Sequence, residues 1–182
     1  KANQQVIWDG LCNGTFQIFS SDHAPTRYDD PRGKKLKGEK SSFRWIPNGI
    51  PGIETRMPLL FSEGVMKGRI DIHTFVGLTA TNPAKMYGLH PKKGSIAVGA
   101  DADLVIWDHE REVTISNDLL HHNVDYTPYE GMKIRGWPDT VISRGEIVFS
   151  NNQLTAEEGR GCFISGNLPA AALPSWRPVI DQ

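Results

Sequence analysis

Cysteine is scarce in this sequence, with only Cys12 and Cys162 among 182 residues. A secreted disulfide scaffold carries more cysteines, so this count favours a reducing, cytoplasmic setting. Neither cysteine has a second cysteine or a histidine at the spacing of zinc ligands. We therefore predict two buried, unreactive thiols rather than a metal site.

Long apolar runs and an excess of charge are also missing. No apolar run approaches the ~20 residues that span a bilayer, and residues 1–5 show no signal-peptide pattern. The formal net charge of -1 is no basis for binding nucleic acid or an anionic membrane surface. The chain opens at Lys1, without a Met and within a helical pattern, which predicts a fragment of a longer protein.

The common catalytic motifs are absent as well. The sequence has no His-x-His, no Cys-x-x-Cys, no Gly-x-Ser-x-Gly and no phosphate-binding glycine loop. His121 and His122 are adjacent, so in regular structure they point in different directions. The other histidines outside residues 20–25 are isolated, which is typical of surface or capping residues. A catalytic zinc needs at least three protein ligands, so this chain does not assemble such a site by itself.

An acid that follows an apolar segment is the feature around which the chain is organised. Residues 1–13 favour a helix that ends at Asn13-Gly14, and residues 16–19 then predict a short buried strand. The strand runs into Ser20, Ser21, Asp22 and His23. In an α/β barrel such strand ends converge on one pocket. Asp22 is therefore a metal ligand, a general base or an ordinary loop cap.

Two loops follow this segment. Residues 26–40 contain six basic and three acidic residues with Pro and Gly between them, which predicts either a mobile lid or a solvated surface excursion. Residues 45–53 contain two prolines and two glycines, so they form neither a helix nor a central strand. Their backbone groups are left to bind a ligand or to form a tight packing turn.

The later segments change from helical to strand periodicity. Residues 57–65, residues 72–80 after a capping Asp71, and residues 82–88 predict helices. Strands are predicted at residues 95–98, 103–108, 113–115, and in a hairpin across Arg144-Gly145. We divide the chain into residues 1–90, residues 91–150 with a small β unit, and an extended arm at residues 151–182.

Five motifs together resemble the cyclic amidohydrolases. They are SDHAP at 21–25, PNGIPGIE at 47–54, NPAK at 82–85, KGSIAVGADADLV at 93–105 and HNVDYTPYEGM at 122–132. The longest of them, at 93–105, occurs in hydantoinases, dihydropyrimidinases, allantoinases and dihydroorotases. The stretch at 122–132 is most similar to the D-hydantoinase/dihydropyrimidinase branch. The resemblance extends to about residue 149.

This resemblance implies an α/β fold: the C-terminal portion of a (β/α)8 TIM barrel plus strands of a small β-sandwich. It implies two divalent metal ions, usually zinc, with a bridging hydroxide, a carboxylated lysine, four histidines and one aspartate. Asp22 matches that aspartate, as metal ligand and as the group that shuttles the proton. Asn48 matches the residue whose backbone binds the cyclic amide or imide. The histidines and the lysine belong to earlier strands that this sequence lacks.

The expected reaction is hydrolytic opening of a hydantoin or a dihydropyrimidine ring in a full-length cytoplasmic homotetramer. Dihydroorotases typically have a substrate-binding histidine where this chain has Thr26, which disfavours dihydroorotate. Allantoinase activity lacks support from residues 125–129. His23 is expected to brace its loop without a catalytic role. The alternative is an inert fragment or a noncatalytic, hydantoinase-like scaffold protein.

Overall fold

In the computed structural model, which describes residues 3–168, helices fill the first half of the chain. An antiparallel sheet fills the second half. The helices are α1 (Gln4–Cys12), α2 (Ile53–Leu60), α3 (Ile72–Val76) and α4 (Asn82–Met86). The strands are β1 (Leu104–Thr114), β2 (Lys133–Ser143), β3 (Glu146–Ser150) and β4 (Gln153–Leu154), paired in that order. None of the helices within residues 3–168 is long and apolar enough to cross a membrane.

The predicted helices occur, but two of them are joined. Asp71 caps α3 as predicted, and its carboxylate accepts a 2.7 Å hydrogen bond from the Thr74 N–H. The predicted separate start at Asn82 is wrong, because a π-helical turn at Gly77–Thr81 joins α3 to α4 without a break. The Asn82 side chain instead donates a 2.8 Å hydrogen bond to the Gln17 carbonyl.

The predicted buried strand at residues 16–19 is extended but unpaired, so that prediction is wrong. A barrel strand bonds to a neighbour on each side, and within residues 3–168 nothing pairs with this segment as a strand. Phe16 is 39% exposed. Several hydrogen bonds hold the segment to the helices, and in one of them the Phe19 N–H donates at 3.0 Å to the Leu78 carbonyl.

The sheet contains the predicted hairpin. Arg144 and Gly145 both have positive φ, 52° and 83°, the conformation that a two-residue hairpin turn requires. The two strands predicted within residues 103–115 form one strand, β1, whose register against β2 is irregular between Asp108 and Glu112. The prediction of a strand at residues 95–98 is wrong. These residues pair with no described segment, and Ile96 is 89% exposed.

The long motif at residues 93–105 has a structural role in this chain. The Lys93 ammonium forms ion pairs with Asp103 and, at 2.9 Å, with Asp101. Asp103 also accepts a 2.9 Å hydrogen bond from the Arg144 N–H in the β2–β3 turn. These contacts fasten the segment that leads into β1 to the β2–β3 turn, which lies at the same end of the sheet.

An aromatic stack connects the sheet with the helices. The rings of Phe61 and Trp107 lie parallel with their centroids 4.5 Å apart, and Phe75 meets Trp107 edge-on at 5.6 Å. The buried core around them contains Leu11, Leu60, Ile70 and Leu78 as well. A second core lies between the sheet and residues 115–132; it contains Val113, Ile115, Ile134 and Trp137.

The two cysteines and the tail differ from their predicted settings. Cys12 and Cys162 are both exposed, so the prediction of buried thiols is wrong. Cys12 is the last residue of α1 and Cys162 lies in the tail, and neither residue belongs to one of the two cores.

The tail crosses the β2–β3 turn, where the Arg160 guanidinium donates a 2.8 Å hydrogen bond to the Ser143 carbonyl. The predicted remainder of the arm, including Trp176, lies outside the described residues.

Gly136 is a position where the aromatic stack leaves no room for a side chain. A Cβ atom there would lie 2.4 Å from Cδ1 of Phe61, and φ is 92°. We expect Gly136→Ala to destabilise the protein by about 2–4 kcal/mol, through overpacking added to backbone strain. The matched control is Gly99→Ala, where φ is 90° but no atom lies within 4 Å.

The control should cost only about 1 kcal/mol, the backbone part of the effect. Urea unfolding followed by tryptophan fluorescence measures both variants. Equal losses of stability in the two variants would contradict the packing argument.

Candidate active site

Asp22 lies exposed at the mouth of a small cavity. The cavity has a volume of about 180 Å³. The residues around it come from the segment that contains Asp22, from the Pro/Gly-rich loop, from α2 and from the stretch before β2. Besides Asp22 they are Phe19, Ser20, Ser21, His23, Ile50, Pro51, Gly52, Arg56, Leu59 and Tyr129. The carboxylate therefore stands where segments from different parts of the chain converge, and its role as metal ligand or proton shuttle stays a prediction.

His23, which was expected to brace its own loop, contacts the next loop. Its Nδ1 atom accepts hydrogen bonds from the backbone N–H groups of Gly52 and Ile53, at 3.1 and 3.3 Å. These groups lie at the start of α2, where backbone donors have no partner within the helix. The imidazole thus fastens the end of the Asp22 segment to the N-terminus of α2.

Residues 45–53 form the irregular loop that their composition predicted. His23 and Ile50 form a single parallel bridge, and the Ala24 N–H donates a 3.3 Å hydrogen bond to the Ile50 carbonyl. At Gly49, with φ of 87°, a Cβ would lie 2.4 Å from Ala24, so only glycine permits this approach. The structure therefore brings the Asp22 and Asn48 loops side by side.

The peptide groups of Asn48 take no part in this packing. Among residues 3–168, no protein group forms a hydrogen bond with either the N–H or the C=O of Asn48. Asn48 itself is exposed. A donor and an acceptor on one residue are thus available to a ligand that has the complementary pair.

Lys34 reaches this loop from residues 26–40, although no sequence pattern singled it out. Its ammonium donates hydrogen bonds to the carbonyls of Pro47, at 2.5 Å, and Gly49. Its own N–H donates at 2.9 Å to the Arg27 carbonyl. The basic composition of the loop was visible in the sequence, but nothing in it indicated which lysine turns inward.

Asp125 holds the same loop from the other side, and its role was not predicted either. Its two carboxylate oxygens accept hydrogen bonds from the N–H groups of Tyr28, at 2.7 Å, and Asp29, at 2.8 Å. The Tyr126 ring lies edge-on to Tyr28 with centroids 6.1 Å apart. Residues 26–40 are therefore a loop tethered at two places, although the sequence alone allowed a free surface excursion.

Arg56 is a third side chain whose role no sequence pattern indicated. Its guanidinium donates a 2.6 Å hydrogen bond to the Phe19 carbonyl, just before the serines that lead to Asp22. Burial lowers the pKa of Arg56 from its usual value. The segment before Asp22 has no strand partner within the described residues, and Arg56 supplies a hydrogen-bond donor to its Phe19 carbonyl.

The two adjacent histidines have separate partners, in line with the prediction. His121 Nδ1 lies 2.8 Å from Glu54, and that hydrogen bond raises the pKa of His121. His122 Nε2 lies 2.9 Å from the Asn117 side-chain oxygen, and burial lowers the pKa of His122. Neither histidine lies among the residues that line the Asp22 cavity.

A metal centre needs more ligands than these residues provide. Within the part of the chain that the structure describes, no three His, Cys, Asp or Glu side chains are grouped to hold an ion. Asp22 supplies one carboxylate, whereas a catalytic zinc needs at least three protein ligands. The described residues alone therefore do not complete a metal site.

Comparison with known proteins decides the family. The model of the amidohydrolase family matches residues 1–148. The chain belongs to this family. The D-hydantoinase of Geobacillus stearothermophilus is 48% identical over 164 residues, which cover 90% of this chain and 34% of that protein. The D-hydantoinase of Ralstonia pickettii is 43% identical over 164 residues, with 90% and 35% covered. The amidohydrolase chain thus spans about a third of the length of these relatives.

Solved structures agree with this assignment. The crystal structure of D-hydantoinase from Bacillus sp. AR9 superposes with a TM-score of 0.84 at 45% identity, covering 90% of this chain and 35% of that one. The dihydropyrimidinase from Brevibacillus agri superposes with a TM-score of 0.80 at 48% identity, covering 85% and 33%. The prediction of an α/β fold, the C-terminal portion of a (β/α)8 barrel with additional strands, is confirmed by this likeness. The division into three regions stays a prediction.

The hydrogen bonds of Asp125 to residues 26–40 can be tested by mutation at a chosen pH. Hydrogen bonds from Tyr28, and less so from Asp29, lower the pKa of Asp125 below its ordinary 3.8. A carboxyl group whose pKa is lower in the folded than in the unfolded protein stabilises the folded state at pH values above the unfolded pKa. This stabilisation is lost as the pH falls through the pKa of the folded state. At neutral pH the tether is therefore fully formed.

We expect Asp125→Asn to increase deuterium uptake in residues 26–40 at pH 7, because an amide cannot accept both hydrogen bonds. Asp118→Asn is the control, since Asp118 is an exposed acid in the turn Asn117–Leu119. Hydrogen exchange with mass spectrometry measures uptake in both variants. Unchanged uptake in Asp125→Asn would show that this loop is held by other contacts.

Proposed function

We propose that this chain is the C-terminal part of a metal-dependent cyclic amidohydrolase that opens a hydantoin or a dihydropyrimidine ring by hydrolysis. One observation carries the proposal: the unpartnered N–H and C=O of Asn48, among the described residues, lie on the loop that packs against the Asp22 segment. The similarity to D-hydantoinases and to a dihydropyrimidinase supports the choice of ring.

Asn48 has the role of binding the ring. A cyclic amide or imide presents a carbonyl next to an N–H, which matches one donor and one acceptor on a single residue. The Asn48 N–H donates to the ring carbonyl and the Asn48 C=O accepts from the ring N–H. Because both groups belong to the backbone, their positions depend on the loop rather than on a side-chain rotamer, which suits the orientation of a reacting bond.

Asp22 has the role of moving the proton. Its carboxylate accepts the proton of the attacking water and returns it to the ring nitrogen as the amide bond breaks. The cavity beside it, about 180 Å³ in volume, leaves the acid accessible from solvent. Ser20 and Ser21 line the same cavity and can solvate the carboxylate between the two transfers.

Asp22 would be one ligand of the two divalent ions, zinc by preference, that the proposed site needs. When bound, such ions lower the pKa of bound water and polarise a carbonyl. The remaining ligands would come from a part of the protein that the D-hydantoinases have and this chain does not span. A homotetramer and a cytoplasmic location complete the proposal, with support from the few cysteines and from the arm predicted by sequence at residues 151–182.

The role of Asp22 is tested by Asp22→Asn in a full-length protein that carries this chain. We expect turnover of hydantoin or dihydrouracil to fall by about 10²–10⁴, the usual contribution of a positioned acid–base group. Metal content, measured by plasma mass spectrometry, separates lost ligation from lost proton transfer. Glu157→Gln, an exposed acid in the tail, is the matched control. Near-normal turnover with metal bound would make the mechanism wrong.

A second test uses residues 1–182 alone. Since the described residues hold no group of three metal-binding side chains, we expect neither bound zinc nor hydantoin turnover from this chain by itself. Turnover by the chain alone would contradict the proposal that other ligands are needed. A full-length protein without the histidines and the lysine of the enzymes would favour the noncatalytic scaffold.

A further inference from the structure

Lys34 is placed to act on the ring-binding residue without touching the ring. Its ammonium contacts the carbonyls of Pro47 and Gly49, the residues on either side of Asn48. Among the described residues no carboxylate pairs with this ammonium. Its two neutral acceptors therefore contact an ammonium that forms no direct ion pair within the described residues.

The geometry of the peptide unit makes the Pro47 contact specific. The carbonyl of Pro47 and the N–H of Asn48 belong to the same planar, conjugated amide. When a cation binds the oxygen of an amide, electron density shifts toward the oxygen and the N–H becomes a stronger donor. Hydrogen bonds polarise one another in this way along a chain. The N–H strengthened here is the one that lacks a partner among the described residues.

The contact with Gly49 adds a constraint on shape. Gly49 has φ of 87° and packs against Ala24, which fixes the backbone directly after Asn48. A cation shared by the carbonyls before and after this residue holds the two peptide planes in a fixed relation. Lys34 is itself held, because its N–H bonds to Arg27 and a Cβ on Gly33 would lie 2.1 Å from the Arg27 carbonyl.

We infer that Lys34 is a positioning residue for the cyclic amide: it orients the Asn48 peptide groups and strengthens the Asn48 N–H as a donor to the ring carbonyl. This inference rests on the proposed function. Its effect falls on binding of the ring, in the ground state and the transition state alike. Uniform binding of this kind changes KM while kcat stays nearly constant.

The neighbouring lysine provides a matched control. Lys35 lies in the same loop and is directed to the surface, where it pairs with Asp29 at 2.5 Å and with Glu39 at 3.4 Å. Its ammonium also lies 4.7 Å from the Tyr28 ring centroid. Lys34→Met and Lys35→Met remove the same charge from adjacent positions, but only the first removes the contacts with the Asn48 loop.

The experiment measures kcat and KM for hydantoin and dihydrouracil in the metal-loaded, full-length protein that carries this chain. For Lys34→Met we expect KM to rise about fivefold to tenfold with kcat changed by less than about threefold. Lys35→Met should leave both constants within about twofold of the unsubstituted protein. Lys34→Arg keeps the charge and N–H donors on a larger, planar group, and should recover part of the lost affinity.

Each outcome decides one question. No hydrolysis of either ring by the unsubstituted, metal-loaded protein overturns the proposed function, and this inference with it. If that protein is active and Lys34→Met has an unchanged KM, only the inference about Lys34 is wrong. A KM raised equally in the Arg and Met variants would overturn it as well, since charge would then not matter. If Lys34→Met fails to fold, Lys34→Gln takes its place with the same expected rise in KM.

Discussion

The site depends on how an irregular backbone is held without regular pairing. Residues 20–25 and 45–53 have almost no ladder hydrogen bonds, and a single parallel bridge between His23 and Ile50 joins them. Backbone groups left without partners are costly once water is excluded. Side chains supply some of the missing partners: His23 accepts from the start of α2, and Lys34 donates to carbonyls of the second loop. Asn48 has no such partner among residues 3–168, and its peptide groups stay open to a ligand.

This arrangement separates the groups that hold the site from the groups that act in it. Arg56 and Asp125 form charge-assisted hydrogen bonds to the backbone at 2.6–2.8 Å, which are stronger than neutral ones. Asp125 bonds to the neighbouring loop, whereas Arg56 also lines the cavity beside Asp22. They fix the loops so that Asp22 and Asn48, which have few contacts of their own, occupy defined places. A rigid frame with open functional groups is what binding with little loss of entropy requires.

The sequence predicted local features well and distant contacts poorly. The cap at Asp71, the hairpin turn at Arg144 and the irregular loop around Asn48 each follow from a few neighbouring residues, and all three occur. The segments 16–19 and 95–98 have the residues of strands, but a strand also needs a partner that residues 3–168 do not provide. Lys34 and Asp125 were missed because their acceptors and donors lie 13 to 97 positions away. Nothing local distinguishes them from other surface charges.

The proposed chemistry has two parts, recognition of the ring and its hydrolysis, and they require different groups of residues. Recognition of a cyclic amide uses a donor and an acceptor on one residue, so a single loop and its anchors can provide it. A binuclear centre needs side chains from several strands, and within the described residues Asp22 is the one acid that lines the cavity beside the ring-binding loop. Recognition can thus be complete in this third of an amidohydrolase while the metal ligands are not. On the proposed function, ring preference is expected to depend on the loops around Asn48, whereas the rate of hydrolysis is expected to depend on Asp22 together with metal ligands from the rest of the barrel.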